Sequence, residues 1–171
     1  MKVLIADDHY VVVEGIQTIL AAEAGFEVIG SATDGHEALS LIESLKPDIV
    51  IMDISMPKMD GVEAARQINR LNDKPRILVY TRSDSKSNIA TLFGEGISGY
   101  VLKEAPLSEL VRALKAIRNG AVFYSETVHG IFREHLKELE LGKDGKDVVE
   151  AENGVAKLSA REKEVFVLLA D

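Results

Sequence analysis

The chain has 171 residues, 46% of them hydrophobic, and a formal net charge of −8. That length and apolar content support one domain, or one domain and part of another, folding without covalent staples. The absence of cysteine excludes disulfides, thiolate metal sites and thiol catalysis, and the acidic balance argues against a whole-chain nucleic-acid surface.

Val3-Leu4-Ile5-Ala6 reads as a short buried strand ending at Asp7-Asp8. Acidic residues follow this apolar run too soon for a signal peptide, and no segment reaches the ~18–20 apolar residues of a membrane span. A cytoplasmic protein with no membrane partner is expected. Val12, Ile16, Ile19 and Leu20 then fall at helical spacing up to a stop at Gly25, and Asp8 is placed to cap that helix. Phe26–Ala32 forms a second, less buried strand nearer an edge. Asp34 caps a second helix, with Glu37 completing a capping-box-like pair; Ala38, Leu41, Ile42 and Leu45 form its inner stripe, and Pro47 stops it. Ile49-Val50-Ile51-Met52 is apolar throughout, as in a strand buried on both faces, and ends at Asp53.

Asp60 caps a third helix, with Glu63 at the reciprocal position. Arg76–Tyr80 forms the fourth strand and ends at Thr81. Ser85 caps a fourth helix anchored by Ile89, Leu92 and Phe93. Gly99–Leu102 forms the fifth strand and ends at Lys103. Pro106 opens a fifth helix whose face is Leu107, Leu110, Leu114 and Ile117, ending at Gly120. This alternation predicts an α/β fold: a flavodoxin-like, doubly wound, five-stranded parallel sheet of order 2-1-3-4-5 with five helices. A C-terminal helical extension follows. Ser125 caps it and Val128, Ile131, Phe132, Leu136 and Leu139 line it through about Leu141. Gly142–Asp147 reads as a hydrophilic linker, and Ser159 and Glu162 match a capping box before a last apolar run.

A parallel sheet carries Asp7-Asp8, Asp53, Thr81 and Lys103 to one edge, although they are far apart in sequence. Three crowded carboxylates there need a cation, and Mg²⁺ with oxygen ligands fits. Lys103 supplies a point charge for a phosphoryl oxygen, and Thr81 a neutral donor. Met52, Met56 and Met59 read as packing, and His9 as a solvent-facing neighbour of the acids.

Together Asp7-Asp8, the run Asp53-x-x-Met56-Pro57-x-Met59-Asp60-Gly61, Thr81 and Lys103 resemble the receiver domain of two-component response regulators, over residues 1–122. Leu158–Ala170 resembles the opening of the LuxR/NarL (FixJ) type helix-turn-helix output domain, here truncated at Asp171. Residues 123–157 are then a connector helix and linker, and 158–171 the start of the output domain. The resemblance implies that Asp53 is the phosphoacceptor, taking its phosphoryl group from a sensor histidine kinase. It implies Mg²⁺ held by Asp8, Asp53 and the main-chain carbonyl of Ser55, with Asp7 assisting. Thr81 and Lys103 would stabilise the phosphoryl group, and Thr81 with Tyr100 would form the switch, Tyr100 turning inward. A homodimer is expected on activation, and DNA binding only through the intact output domain. Self-catalysed phosphoryl acceptance and slow autodephosphorylation are the only chemistry expected, so the chain is not read as an enzyme.

Arg82 departs from the small residue common in the family; it would restrict access to the pocket or pair with the phosphoryl group. Ser55 and Ser83 lie where the family varies and sets phosphate lifetime. Competing readings are a receiver that works without phosphorylation as a dimerisation or docking module, and an aspartyl-phosphate hydrolase. Ser55 stands where such hydrolases favour a second Asp. A flavin- or nucleotide-binding protein of the same fold needs a phosphate-cradling loop where Asp7-Asp8 would repel the ligand.

Overall fold

A computed structural model describes residues 1–141. The linker from Gly142 and the segment 158–171 lie outside the described residues. The strands are β1 (Lys2–Ala6), β2 (Glu27–Ala32), β3 (Ile49–Met52), β4 (Arg76–Thr81), β5 (Gly99–Leu102) and β6 (Phe123–Tyr124). The helices are α1 (Tyr10–Ala21), α2 (Gly35–Leu45), α3 (Gly61–Ile68), α4 (Lys86–Gly94), α5 (Leu107–Arg118) and α6 (Glu126–Leu141). None of the described helices is long and apolar enough to cross a membrane.

All strand pairs are parallel, in the order β2-β1-β3-β4-β5-β6. The expected order 2-1-3-4-5 stands, but the sheet has six strands, not five. β6 escapes sequence reading because two residues carry no periodicity. Phe123 and Tyr124 become a strand by pairing with Gly99 and Tyr100.

Alternation within the strands builds two apolar layers. Leu4, Ala6, Val50, Met52, Val79 and Tyr100 face α2, α3 and α4. Val3, Ile5, Ile49, Ile51, Leu78 and Val101 face α1 and α5. Every residue of β3 is buried, as a central strand covered on both faces requires. The methionines of the β3–α3 segment pack in the first layer, as expected. α6 also joins that layer, through Val128. The sixth helix therefore begins by covering the receiver.

Helix starts explain several local differences. Asp34 and Asp60 cap α2 and α3, each accepting the N–H three residues on. Glu37 reaches back to Thr33, not to the Asp34 N–H. Asp8 does not cap α1: His9 holds that position, and its side chain makes no bond to the helix backbone. Ser85 holds the α4 cap position, but its hydroxyl meets Ser87 instead of the helix backbone. Pro106 precedes α5 instead of opening it. Ser125 caps α6, its hydroxyl accepting the Val128 N–H at 3.4 Å.

Gly61 lets α3 start against the end of β3. A Cβ there would lie 2.2 Å from the Asp53 carbonyl oxygen and 2.9 Å from Ile54 Cα. Backbone on both sides leaves no flexible neighbour to yield. Gly61→Ala should therefore lower unfolding free energy by about 2 kcal/mol in urea titrations; a loss below about 0.5 kcal/mol would contradict this close approach.

Candidate functional site

Four of the strands each supply one part of the site where the apolar run stops. Asp7 follows β1, Asp53 follows β3, Thr81 ends β4 and Lys103 follows β5. The parallel sheet sets all four on one edge, as the sequence predicts. Asp7 and Asp53 are each only 3% exposed. The Lys103 ammonium lies between them, 2.6 Å from an oxygen of each. The Lys103 main-chain N–H donates to the Thr81 carbonyl at 2.8 Å, which fixes the root of the side chain.

The remaining carboxylate oxygens are also engaged. Asp7 accepts the His9 N–H at 2.9 Å, and Asp53 accepts the Ser55 N–H at 3.2 Å. Burial pushes the Asp53 carboxyl upward. The Lys103 hydrogen bond, the Thr81 hydroxyl, the Lys103 charge and the Ser55 N–H together outweigh it and hold the group below its ordinary value. Thr81 is fully buried, and its hydroxyl oxygen accepts the Ser83 N–H at 3.2 Å.

Asp8 sits outside this inner pair and is exposed. Its carboxylate receives His9 Nδ1 at 2.8 Å, and His9 Nε2 lies 3.3 Å from Arg82 Nη2. A guanidinium only donates, so Nε2 accepts and Nδ1 carries the hydrogen shared with Asp8. Arg82 thus reaches across to the β1–α1 connection. His9 is exposed beside the acids, as its reading as a solvent-facing neighbour expects, and its ring also joins Asp8 to Arg82. Its place beside Asp7-Asp8 was the available signal. Asp7, Asp8, His9 and Asp53 offer ligand atoms within 4.8 Å of one another.

Lys58, with its partner Asp34, shapes the site from outside the expected set. Lys58 lies in the β3–α3 segment with φ 61°, left-handed for a non-glycine residue. Its ammonium meets the buried Asp34 carboxylate at 2.5 Å. That contact and the Glu37 N–H hold the Asp34 carboxyl below its usual range. The pair ties the segment containing Ser55 to the start of α2. Tyr100 is fully buried, facing inward, and its hydroxyl donates to the Ser83 carbonyl at 2.6 Å. Ser83 therefore contacts both Thr81 and Tyr100.

A carboxyl held below its unfolded value stabilises the fold fully above about pH 4, and the contribution is lost as pH falls through the lowered value. Lys103→Met removes the cation and leaves burial dominant. The Asp53 carboxyl should then titrate higher by carbon-detected NMR, and metal-free stability at pH 7 should fall by about 3 kcal/mol. An unmoved Asp53 titration would rule out Lys103 as the group that holds it down.

Residues 3–115 match the family model described as the response regulator receiver domain. The chain is 34% identical over 177 residues to the transcriptional regulatory protein DegU of Brevibacillus brevis, covering 100% of this chain and 75% of DegU. It also superimposes on the isolated REC domain of RcsB from Salmonella enterica serovar Typhimurium, solved in the presence of phosphomimetic BeF3−. That match has a TM-score of 0.73 and 30% identity, covering 77% of this chain and 97% of that one. A structure of two RcsB dimers bound to two parallel DNAs matches with a TM-score of 0.73 and 27% identity, over 91% of this chain and 83% of that one. Sequence, sheet order and relatives agree, and the chain belongs to the response regulator receiver domain family.

Proposed function

We propose that this protein is a phosphoryl-accepting switch of a two-component pathway that controls transcription. The observation that carries the reading is Asp53 itself: a buried carboxylate, kept ionised by Lys103 at 2.6 Å, at the ligand-binding edge of a parallel sheet. An ionised carboxylate is the nucleophile that phosphoryl acceptance needs. The donor would be the phosphohistidine of a sensor histidine kinase. Tyr10 and Val11, 71% and 79% exposed at the start of α1, give an apolar surface beside the acids for such a protein donor.

The residues present fit Mg²⁺. Asp7, Asp8 and Asp53 carry three formal negative charges against the single positive charge of Lys103, and a carboxylate-rich set suits a hard divalent ion. Asp8 and Asp53 would hold it, with the Ser55 main-chain carbonyl, and Asp7 behind them. Bound there, Mg²⁺ would offset charge on the oxygens of the transferring group.

The chain's own residues do the rest. An Asp53 oxygen attacks phosphorus, the P–N bond of the donor breaks, and its electron pair stays on the imidazole nitrogen. Lys103 exchanges its Asp53 contact for a phosphoryl oxygen. Thr81 turns its hydroxyl to another. Because Ser83 joins Thr81 to Tyr100, that movement reaches the β4–α4 loop. Arg82, anchored to His9, limits entry to the pocket from that loop, and Ser55 and Ser83, at positions where the family varies, set the lifetime of the phosphoryl group. Turnover is confined to slow loss of the phosphoryl group. By analogy with RcsB, the active form is a homodimer, and DNA contact belongs to an output domain.

With acetyl phosphate and Mg²⁺, intact mass should rise by one phosphoryl group, and Asp53→Asn should abolish the gain. No gain in the wild type, or an equal gain in the variant, would refute the proposal. Rapid multiple turnover of a generic phosphomonoester would favour a hydrolase instead.

A further inference from the structure

β6 and α6 lie beyond the four strands that hold the site, yet one residue of β6 is set against the switch. Tyr124 is the register partner of Tyr100 across the parallel β5–β6 pair. Register partners project from the same face of a sheet, so Tyr124 stands directly beside Tyr100 on its outer flank. The Tyr124 ring stacks on Phe93 of α4, with centroids 4.2 Å apart and planes at 23°. Its hydroxyl donates to the Ile97 carbonyl, in the α4–β5 turn, at 3.2 Å. The chain is held there on both sides of the sheet edge: the Ser125 N–H donates to the Tyr100 carbonyl at 3.2 Å, and Val128 of α6 is fully buried in the same apolar layer. Lys86 and Glu134, 3.8 Å apart, join the start of α4 to α6.

We infer that Tyr124 is a positioning residue for phosphoryl acceptance at Asp53, acting through Tyr100 and Ser83 on Thr81. The inference rests on the phosphoryl-switch reading above. An outward swing of Tyr100 needs the flank that Tyr124 fills. While Tyr124 is in place, the Tyr100 hydroxyl stays on the Ser83 carbonyl at 2.6 Å, and the Ser83 N–H stays on the Thr81 hydroxyl at 3.2 Å. The last link points the hydroxyl at the acceptor. Without Tyr124 the inward Tyr100 keeps Val79 on one flank but loses its outer one, and the β4–α4 loop loosens. The metal-binding residues sit on the ends of β1 and β3, so their affinity for Mg²⁺ is spared. A general loss of structure would not produce that split.

The test compares Tyr124→Phe, Tyr124→Leu and Tyr124→Ala in the 171-residue chain. Three readouts are needed: the acetyl phosphate reaction rate by intact mass, Mg²⁺ affinity by calorimetry, and Ser83 amide exchange by NMR in metal-free protein. Tyr124→Phe keeps the stack and should react within about twofold of wild type. Tyr124→Leu and Tyr124→Ala should react at least about fivefold more slowly, with Mg²⁺ affinity within about twofold and Ser83 exchange about tenfold faster, as loss of a local closed state predicts. If Tyr124→Ala does not fold, Tyr124→Leu decides. A wild-type rate in Tyr124→Leu, or a parallel loss of Mg²⁺ affinity, would overturn the inference. If the wild type accepts no phosphoryl group, the functional reading fails, and Ser83 exchange still decides whether Tyr124 positions the loop.

Discussion

One ammonium group holds the functional edge together. Lys103 reaches from the end of β5 to carboxylates at the ends of β1 and β3, at 2.6 Å each. Each acid is the first polar side chain after a run of buried apolar residues, so neither can withdraw into solvent without unpacking its strand. Two like charges ~5 Å apart repel by roughly 3 kcal/mol at an effective dielectric near 20. Set against the ~5–15 kcal/mol that keeps a domain folded, this is too large to leave uncompensated. The fold therefore needs a cation at that point, and the same need makes the place suited to anionic chemistry.

That logic explains why so much was readable from the sequence. Ile49–Met52 is apolar at every position and then stops at an acid, which marks both a central strand and a site residue. The other strand ends repeat the pattern with Asp7, Thr81 and Lys103. Parallel topology alone then gathers them. The limits are equally physical. β6 exists only because β5 offers it an edge; nothing within Phe123-Tyr124 announces a strand. The Asp34–Lys58 contact joins residues 24 positions apart whose meeting depends on the path of the β3–α3 segment. The helix caps were found where a side chain bonds its own helix, as at Asp34 and Asp60. The expectation fails at Asp8, where the His9 ring takes the carboxylate in place of the helix backbone.

The site is unequal from inside to outside. Asp7 and Asp53 are buried and share a full positive charge. Asp8 is exposed, and its partner is the Nδ1 hydrogen of His9 at 2.8 Å. With Arg82 donating to the other ring nitrogen, that imidazole is a neutral donor. On the proposed reading, a divalent cation approaching Asp8 displaces one hydrogen bond from a neutral donor to a carboxylate, net worth about 1.5–3 kcal/mol. It need not displace Lys103, whose removal would expose two buried acids to each other. On the same reading Lys103 would stay available until a phosphoryl group arrives with negative charge of its own. On that reading metal and phosphoryl group would be met by different parts of one cluster: the exposed Asp8, with Asp53, would receive the cation, and the buried ammonium would receive the anion. The proposed order of events would follow from burial, because the solvent-facing partner would exchange first and the enclosed one would move only when a second anion replaces the carboxylate it leaves.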